Sequence, residues 1–224
     1  MMKKGIIITI DGPSGAGKGT VARAVAKRLG LTYLDTGAMY RAFALLAQRS
    51  LINVNDEKEV AELLLETHIH LETDSDCNLK VTLNKEDVTD KIRTPEISSL
   101  SSDLATKRVV RIALKGMQRR LGQKGNIVAE GRDMGTYVFP EADFKFYLDA
   151  AVDERAGRRW RQLAESGIKE SLDRVKKEVQ QRDKQDRERA ESPLHPAPNA
   201  VIIDTTKLTI EEVIEKILKT VGGV

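Results

Sequence analysis

The apolar positions of this chain change rhythm twice. From Gly5 to Ile10 they run almost unbroken, as in a strand buried on both faces. From about Lys18 to Leu29 they become a helical stripe of Val21, Ala22, Val25, Ala26 and Leu29, closed by Gly30. A short strand over Leu31–Leu34 and a helix from Ala38 to about Gln48 repeat the alternation, and a helix over about Asp56–Glu66 follows. Strand–helix–strand–helix predicts a parallel sheet covered by helices.

The stretch HIHLETDSDCNLKVTLNKEDVTD then alternates polar and apolar residues between turn-like TDSD and NKED. That pattern predicts two or three short antiparallel strands with one face in water, an insert over about 67–93. A helical stretch from about Pro95 to Leu121, whole or broken, leads to core strands over Asn126–Glu130 and Phe144–Leu148. Two charged helical stretches come next, about Asp153–Glu165 and Glu170–Ala190, joined at Ser166-Gly167 and ended by SPLHPAP. Ala200–Asp204 is a last strand, and Thr209 with Glu212 forms a capping box for a final helix. The fold class is α/β: a five-stranded parallel sheet flanked by helices, with a small antiparallel β insert and a helical lid, in one domain over 1–224.

Composition narrows the function classes. A length of 224 residues suits one domain with an insert. A net charge of +3 is too small to mark a nucleic-acid coat, although arginines gather after Asp153. The single cysteine, Cys77, excludes an intramolecular disulfide and suits a reducing compartment. MMKKGIIITIDG has the lysines of a signal peptide but too short an apolar run, and Asp11-Gly12 stands where small cleavage-site residues belong. No apolar run reaches the ~18 residues of a membrane span. A soluble, cytoplasmic protein is the expectation.

The chemistry begins at GPSGAGKGT, Gly12 to Thr20, between the first strand and the first helix. Its glycines let backbone N–H groups turn inward on phosphate oxygens, and the helix adds its positive end. Lys18 can reach the outer phosphates, and Thr20 can offer a hydroxyl to Mg²⁺. Gly19 delays that hydroxyl by one residue relative to the usual Gly-Lys-[Ser/Thr], as in nucleoside monophosphate kinases. Asn84-Lys85-Glu86-Asp87 fits a guanine-reading N-K-x-D, but no aspartate from Asp35 to Asp76 opens the companion D-x-x-G, so NKED is expected to be a hairpin turn. His68, His70 and Cys77 lack a fourth ligand for zinc and are expected on a polar sheet face. Trp160 is expected to pack beneath the lid.

A second anion is implied opposite the loop. Asp35-Thr36-Gly37-Ala38-Met39-Tyr40-Arg41 and Glu130-Gly131-Arg132-Asp133 both lie at carboxyl ends of strands, where open parallel sheets bind ligands. Each carries an arginine. Arg155, Arg158 and Arg159 share one helix face, as do Arg182, Asp186 and Arg189. Joining two polyanions needs such positive charge and a closing segment that excludes water, more than it needs a base.

GPSGAGKGT, DTGAMYR, EGRDMGTYVFP and RDKQDRERAESPL, in this order and spacing, resemble the bacterial cytidylate kinase family, whose members phosphorylate CMP and dCMP with ATP. The resemblance runs nearly the whole length. It implies that the insert enlarges the monophosphate-binding region and that about 153–170 forms the lid. It implies ATP and Mg²⁺ at Gly12, Pro13, Ser14, Gly15, Ala16, Gly17, Lys18, Gly19 and Thr20, with Arg155, Arg158 and Arg159 in the lid. Arg41, Arg132 and Arg189 would hold the acceptor phosphate and the migrating phosphoryl group, with Lys18, Arg132 and Arg189 catalytic. Thr36 would offer its hydroxyl, Ser102, Arg111 and Asp133 would read the cytosine edge, and Arg182 with Asp186 would hold the ribose. Thr36 replaces an expected serine and Glu130 an expected aspartate. The implied partners are small molecules, with no nucleic acid and no membrane, and the implied state is a monomer. A kinase for another monophosphate such as UMP or AMP, and an ATP-dependent RNA-binding module, remain as alternative readings of the same residues.

Overall fold

The structure, a computed structural model, describes residues 5–222; Lys3 and Lys4 of the leader-like N-terminus lie outside them. Five strands, β1 (Ile7–Asp11), β2 (Thr32–Asp35), β6 (Ile127–Gly131), β7 (Phe144–Asp149) and β8 (Val201–Asp204), form one sheet in the order β2-β6-β1-β7-β8. Every pairing in it is parallel. β1 is buried at all five positions, which explains its unbroken apolar run.

Register decides where the chemistry falls. Asp11 pairs with Gly131, and Asp35 with Glu130. The carboxyl ends of β1, β2 and β6 therefore finish side by side.

Two layers cover this sheet. On one face, α1 (Lys18–Leu29) and α8 (Ile210–Gly222) pack Val21, Val25, Val213 and Ile217 against Ile8 and Ile10. The other face buries Ile7, Leu34, Ile127 and Ala129 under Met134, Val138 and Phe139. Thr209 donates to and accepts from Glu212, the capping box expected at the start of α8.

The insert is a separate three-stranded antiparallel sheet, β3 (Ile69–Thr73), β4 (Leu79–Leu83) and β5 (Glu86–Asp87). Its alternation is visible in burial: Val81 and Leu83 enter a core with Met39 and Phe43 of α2 (Thr36–Arg49), while His70 stays exposed. NKED divides as a turn and a strand. Asn84 and Lys85 take positive φ, 46° and 74°, and Glu86-Asp87 pairs as β5. α3 (Glu57–Leu65), α4 (Pro95–Leu104) and α5 (Arg108–Leu121) complete that second core, so the Pro95–Leu121 stretch is broken.

α6 (Val152–Glu165) and α7 (Leu172–Glu188) form a hairpin of helices with its own small core of Leu163, Val175 and Val179. Trp160 differs from expectation. It is 41% exposed on α6, and its indole N–H donates to the Glu170 carbonyl at 2.8 Å, so it ties the hairpin from outside. Among the described residues no group of three or more His, Cys, Asp or Glu could hold a metal, and Cys77 is buried in the core beside α1. No described helix is long and apolar enough to cross a membrane.

Candidate active site

A cleft of ≈ 980 Å³ opens at the carboxyl ends of β1, β2 and β6, with the Gly12–Thr20 loop on one side and α4, α5 and α7 on the other. The loop is held by contacts that glycine alone permits. Gly12, at φ +146°, turns so close to β7 that an added Cβ would stand 1.9 Å from the Leu148 carbonyl oxygen. Gly15, at φ +78°, sits against the Arg155 backbone at 2.8 Å by the same measure. From behind, the Thr205 hydroxyl donates to the Ala16 carbonyl at 3.3 Å. Lys18 is 5% exposed and folds back to donate to the Pro13 carbonyl at 2.7 Å. Thr20 is exposed in the first turn of α1.

The opposite side is a row of guanidinium groups with fewer carboxylates than cations. Arg132 donates to Asp186 at 2.8 Å, and Arg189 donates to the other Asp186 oxygen at 3.3 Å. Arg111 donates to Asp133, and both are buried. Arg41 donates to Asp35 at 2.8 Å, and Asp35 also accepts from the Ala38 amide to cap α2. Arg182 is different: its Nε is buried without a hydrogen-bond partner.

The electrostatics follow. Burial, reinforced by the Arg132 charge, brings Lys18 down to about 7. Burial and Arg132 likewise bring Arg182 down to about 10, with Arg41 and Arg159 adding repulsion. Burial opposes ionisation of Asp186, yet Arg132, Arg182 and Arg189 hold it below the usual carboxylate range. Burial and then the neighbouring Asp35 charge push Glu130 up. Such a site stores unsatisfied positive charge that bound anions would relieve.

The structure brings most of the expected residues to this cleft. Ser14, Gly15, Ala16, Gly17, Gly19, Thr36, Ser102, Arg158 and Arg159 line it with those already named. Gly12 and Pro13 shape the loop from beneath. Arg155 departs from expectation. It is 1% exposed, donating to Asp183 at 2.6 Å, to the Ala150 carbonyl at 2.8 Å and to the Ser14 carbonyl at 3.1 Å. Its guanidinium is consumed in joining α6, α7 and the loop, so it is a strut and not a free ligand group. Thr36, 2% exposed, donates its hydroxyl to the Glu130 carbonyl at 2.7 Å, tying the ends of β2 and β6.

Asp11 escaped the sequence reading. It is 2% exposed, accepts from the Met134 and Gly135 amides at 2.9 and 2.8 Å, and is raised by burial to about 7. It thereby fixes a wide i→i+5 turn over Met134–Val138, closed by Val138 N–H to the Asp133 carbonyl, and so sets the position of Arg132 and Asp133. A carboxylate ending an otherwise apolar strand was the available signal. The cleft's far end, lined by Leu208, Ile210 and Val213, was also missed; these residues read as ordinary parts of a helix start.

Loop, parallel sheet and facing cations define a phosphate-binding-loop protein built to hold two anions. The comparisons narrow this. The family model described as cytidylate kinase matches residues 8–222. A cytidylate kinase of Citrifermentans bemidjiense is 47% identical over 98% of this chain and 94% of its own. One of Bacillus cereus is 43% identical over 100% and 99%. A solved structure of an uncharacterized protein from Eubacterium ventriosum shares the fold, at TM-score 0.52 and 15% identity, over 98% of this chain and 99% of its own. The chain belongs to the cytidylate kinase family.

Proposed function

We propose that this enzyme transfers the γ-phosphoryl group of ATP to CMP or dCMP, giving ADP and CDP or dCDP. The observation that carries the reading is the buried, unpartnered Arg182 standing between Arg132 and Arg41 across from Lys18. A cation without a counter-charge at that depth suits a phosphate.

ATP lies with its phosphates on the loop and its base toward Leu208, Ile210 and Val213. Lys18 leaves the Pro13 carbonyl for the outer phosphates. Arg41, Arg132 and Arg189 hold the acceptor phosphate, and Arg182 with Asp186 hold the ribose. An acceptor oxygen attacks the γ-phosphorus, the bond to the β–γ bridging oxygen breaks, and ADP departs. The acceptor phosphate, with a second pKa of about 6, is already mostly dianionic and needs no general base. Lys18, Arg132 and Arg189 neutralise the charge spread over the transferred group. Arg158 and Arg159 close over it from the α6–α7 lid and exclude water.

Mg²⁺ fits the donor set: the exposed Thr20 hydroxyl and the mutually repelling Asp35 and Glu130 carboxylates beside the loop suit an ion that shares its shell with phosphates and water. When bound it supplies charge neutralisation between the outer phosphates. Arg111, Asp133 and Ser102 read the base. The enzyme works as a cytoplasmic monomer.

The test is a coupled ADP-release assay with Mg·ATP over CMP, dCMP, UMP, AMP, GMP and dTMP. CMP and dCMP should turn over fastest. Turnover of UMP or AMP with none of CMP would defeat the base assignment, and no phosphoryl transfer to any of them would defeat the kinase reading.

A further inference from the structure

Gln185 lies one residue before Asp186, outside the cleft lining, and bridges α7 to α4. Its Nε2 donates to Asp103 Oδ1 at 3.2 Å, and its Oε1 accepts from the Ser102 hydroxyl at 2.8 Å. The two faces of an amide are easily exchanged, but here chemistry fixes them. Ionised Asp103 can only accept, so the amide NH₂ must face it and the carbonyl must face Ser102.

That has a consequence inside the cleft. A serine hydroxyl is ordinarily ambivalent, able to give one hydrogen or to accept through its lone pairs. With its hydrogen committed to Gln185, Ser102 turns only lone pairs toward the pocket it lines. A lone pair welcomes an N–H and repels a carbonyl oxygen. A pyrimidine with a 4-amino group offers the first; one with a 4-oxo group offers the second.

We propose that Gln185 is a specificity-determining positioning residue: with Asp103 it locks Ser102 as an acceptor and thereby favours cytosine over uracil. The inference rests on the proposed placement of the base at Ser102, Arg111 and Asp133. It gives Ser102 the acceptor role, in place of the donor role its hydroxyl could equally play when free.

The experiment measures kcat/KM for CMP and for UMP in wild type and in Ser102→Ala, Gln185→Met, Gln185→Glu and Asp103→Asn. Gln185→Met keeps the length of the side chain and removes the acceptor. It should lower the CMP/UMP ratio about tenfold, the worth of one directional hydrogen bond, mainly through KM. Gln185→Glu keeps an acceptor for the Ser102 hydrogen and should retain most of the ratio. Asp103→Asn frees the amide to rotate and should fall between. Thermal denaturation identifies any variant that fails to fold, and Gln185→Glu then carries the comparison with Asp103→Asn.

A CMP/UMP ratio unchanged in Gln185→Met, with Ser102→Ala impaired toward CMP, would overturn the role of Gln185 while leaving the base site intact. An unimpaired Ser102→Ala would instead overturn the base site on which the inference stands.

Discussion

The two sides of the cleft are built by opposite means. The loop is one contiguous segment, Gly12 to Thr20, whose ligand-facing groups are mostly backbone. The guanidinium side is assembled from α2, the end of β6, α5 and α7, segments up to 148 residues apart between Arg41 and Arg189. A backbone nest needs only correct φ angles and close packing beneath it. A side-chain wall needs every cation aimed by a counter-charge, and Asp35, Asp133 and Asp186 serve that purpose. The loop thus tolerates distant change, whereas the wall depends on the whole fold.

The largest expected effect breaks the wall at its centre. Arg132→Met should lower kcat by about 10²–10³-fold, the scale of removing one transition-state donor. Asp186 keeps Arg189 as a partner, so the fold should persist by circular dichroism. Near-normal turnover would remove Arg132 from the site.

Next, Arg155→Met should cost about 3–5 kcal/mol in denaturant unfolding by leaving Asp183 buried and unpaired. Adding Asp183→Leu should recover much of that loss. Arg159→Met, at a cleft-lining position, should leave stability nearly unchanged and raise KM for ATP. Reversal of these two patterns would make Arg155 the ligand and Arg159 the strut.

The smallest effect probes the loop. Lys18, held near 7 when the cleft is empty, is mostly neutral at pH 8 and should be charged beside bound phosphates. ATP binding at pH 8 should therefore take up about one proton. Calorimetry in buffers of different ionisation enthalpy would show it, and Lys18→Met should abolish it. The uptake should fade below pH 6, where the free lysine is already protonated.

What the sequence disclosed follows the same division. Periodicity placed α1 at Lys18–Leu29 and the remaining strands and helices within a few residues, because each buries a face whose period is written locally. The loop announced itself for the same reason. Charged residues were harder. Arg155 and Arg158 share a helix face and look alike in sequence, yet one is sealed against Asp183 and the other reaches the cleft. Only the packing of α6 on α7 separates them. Asp11 and Gln185 carry no motif, since their partners, Met134, Gly135, Ser102 and Asp103, lie 82 or more residues away in every case.

The tip of the small antiparallel sheet is anchored more firmly than a surface hairpin usually is. Cys77 is 4% exposed against the α1 side of the core, the Lys27 ammonium donates to Asp76 at 2.8 Å, and Thr73 donates to the Tyr33 carbonyl at 3.0 Å. Swinging this sheet away from β2 would bare a thiol and part three contacts at once. Admission of the nucleotides then falls to the α6–α7 hairpin, so the doorway lies on the donor side while the acceptor's floor stays put.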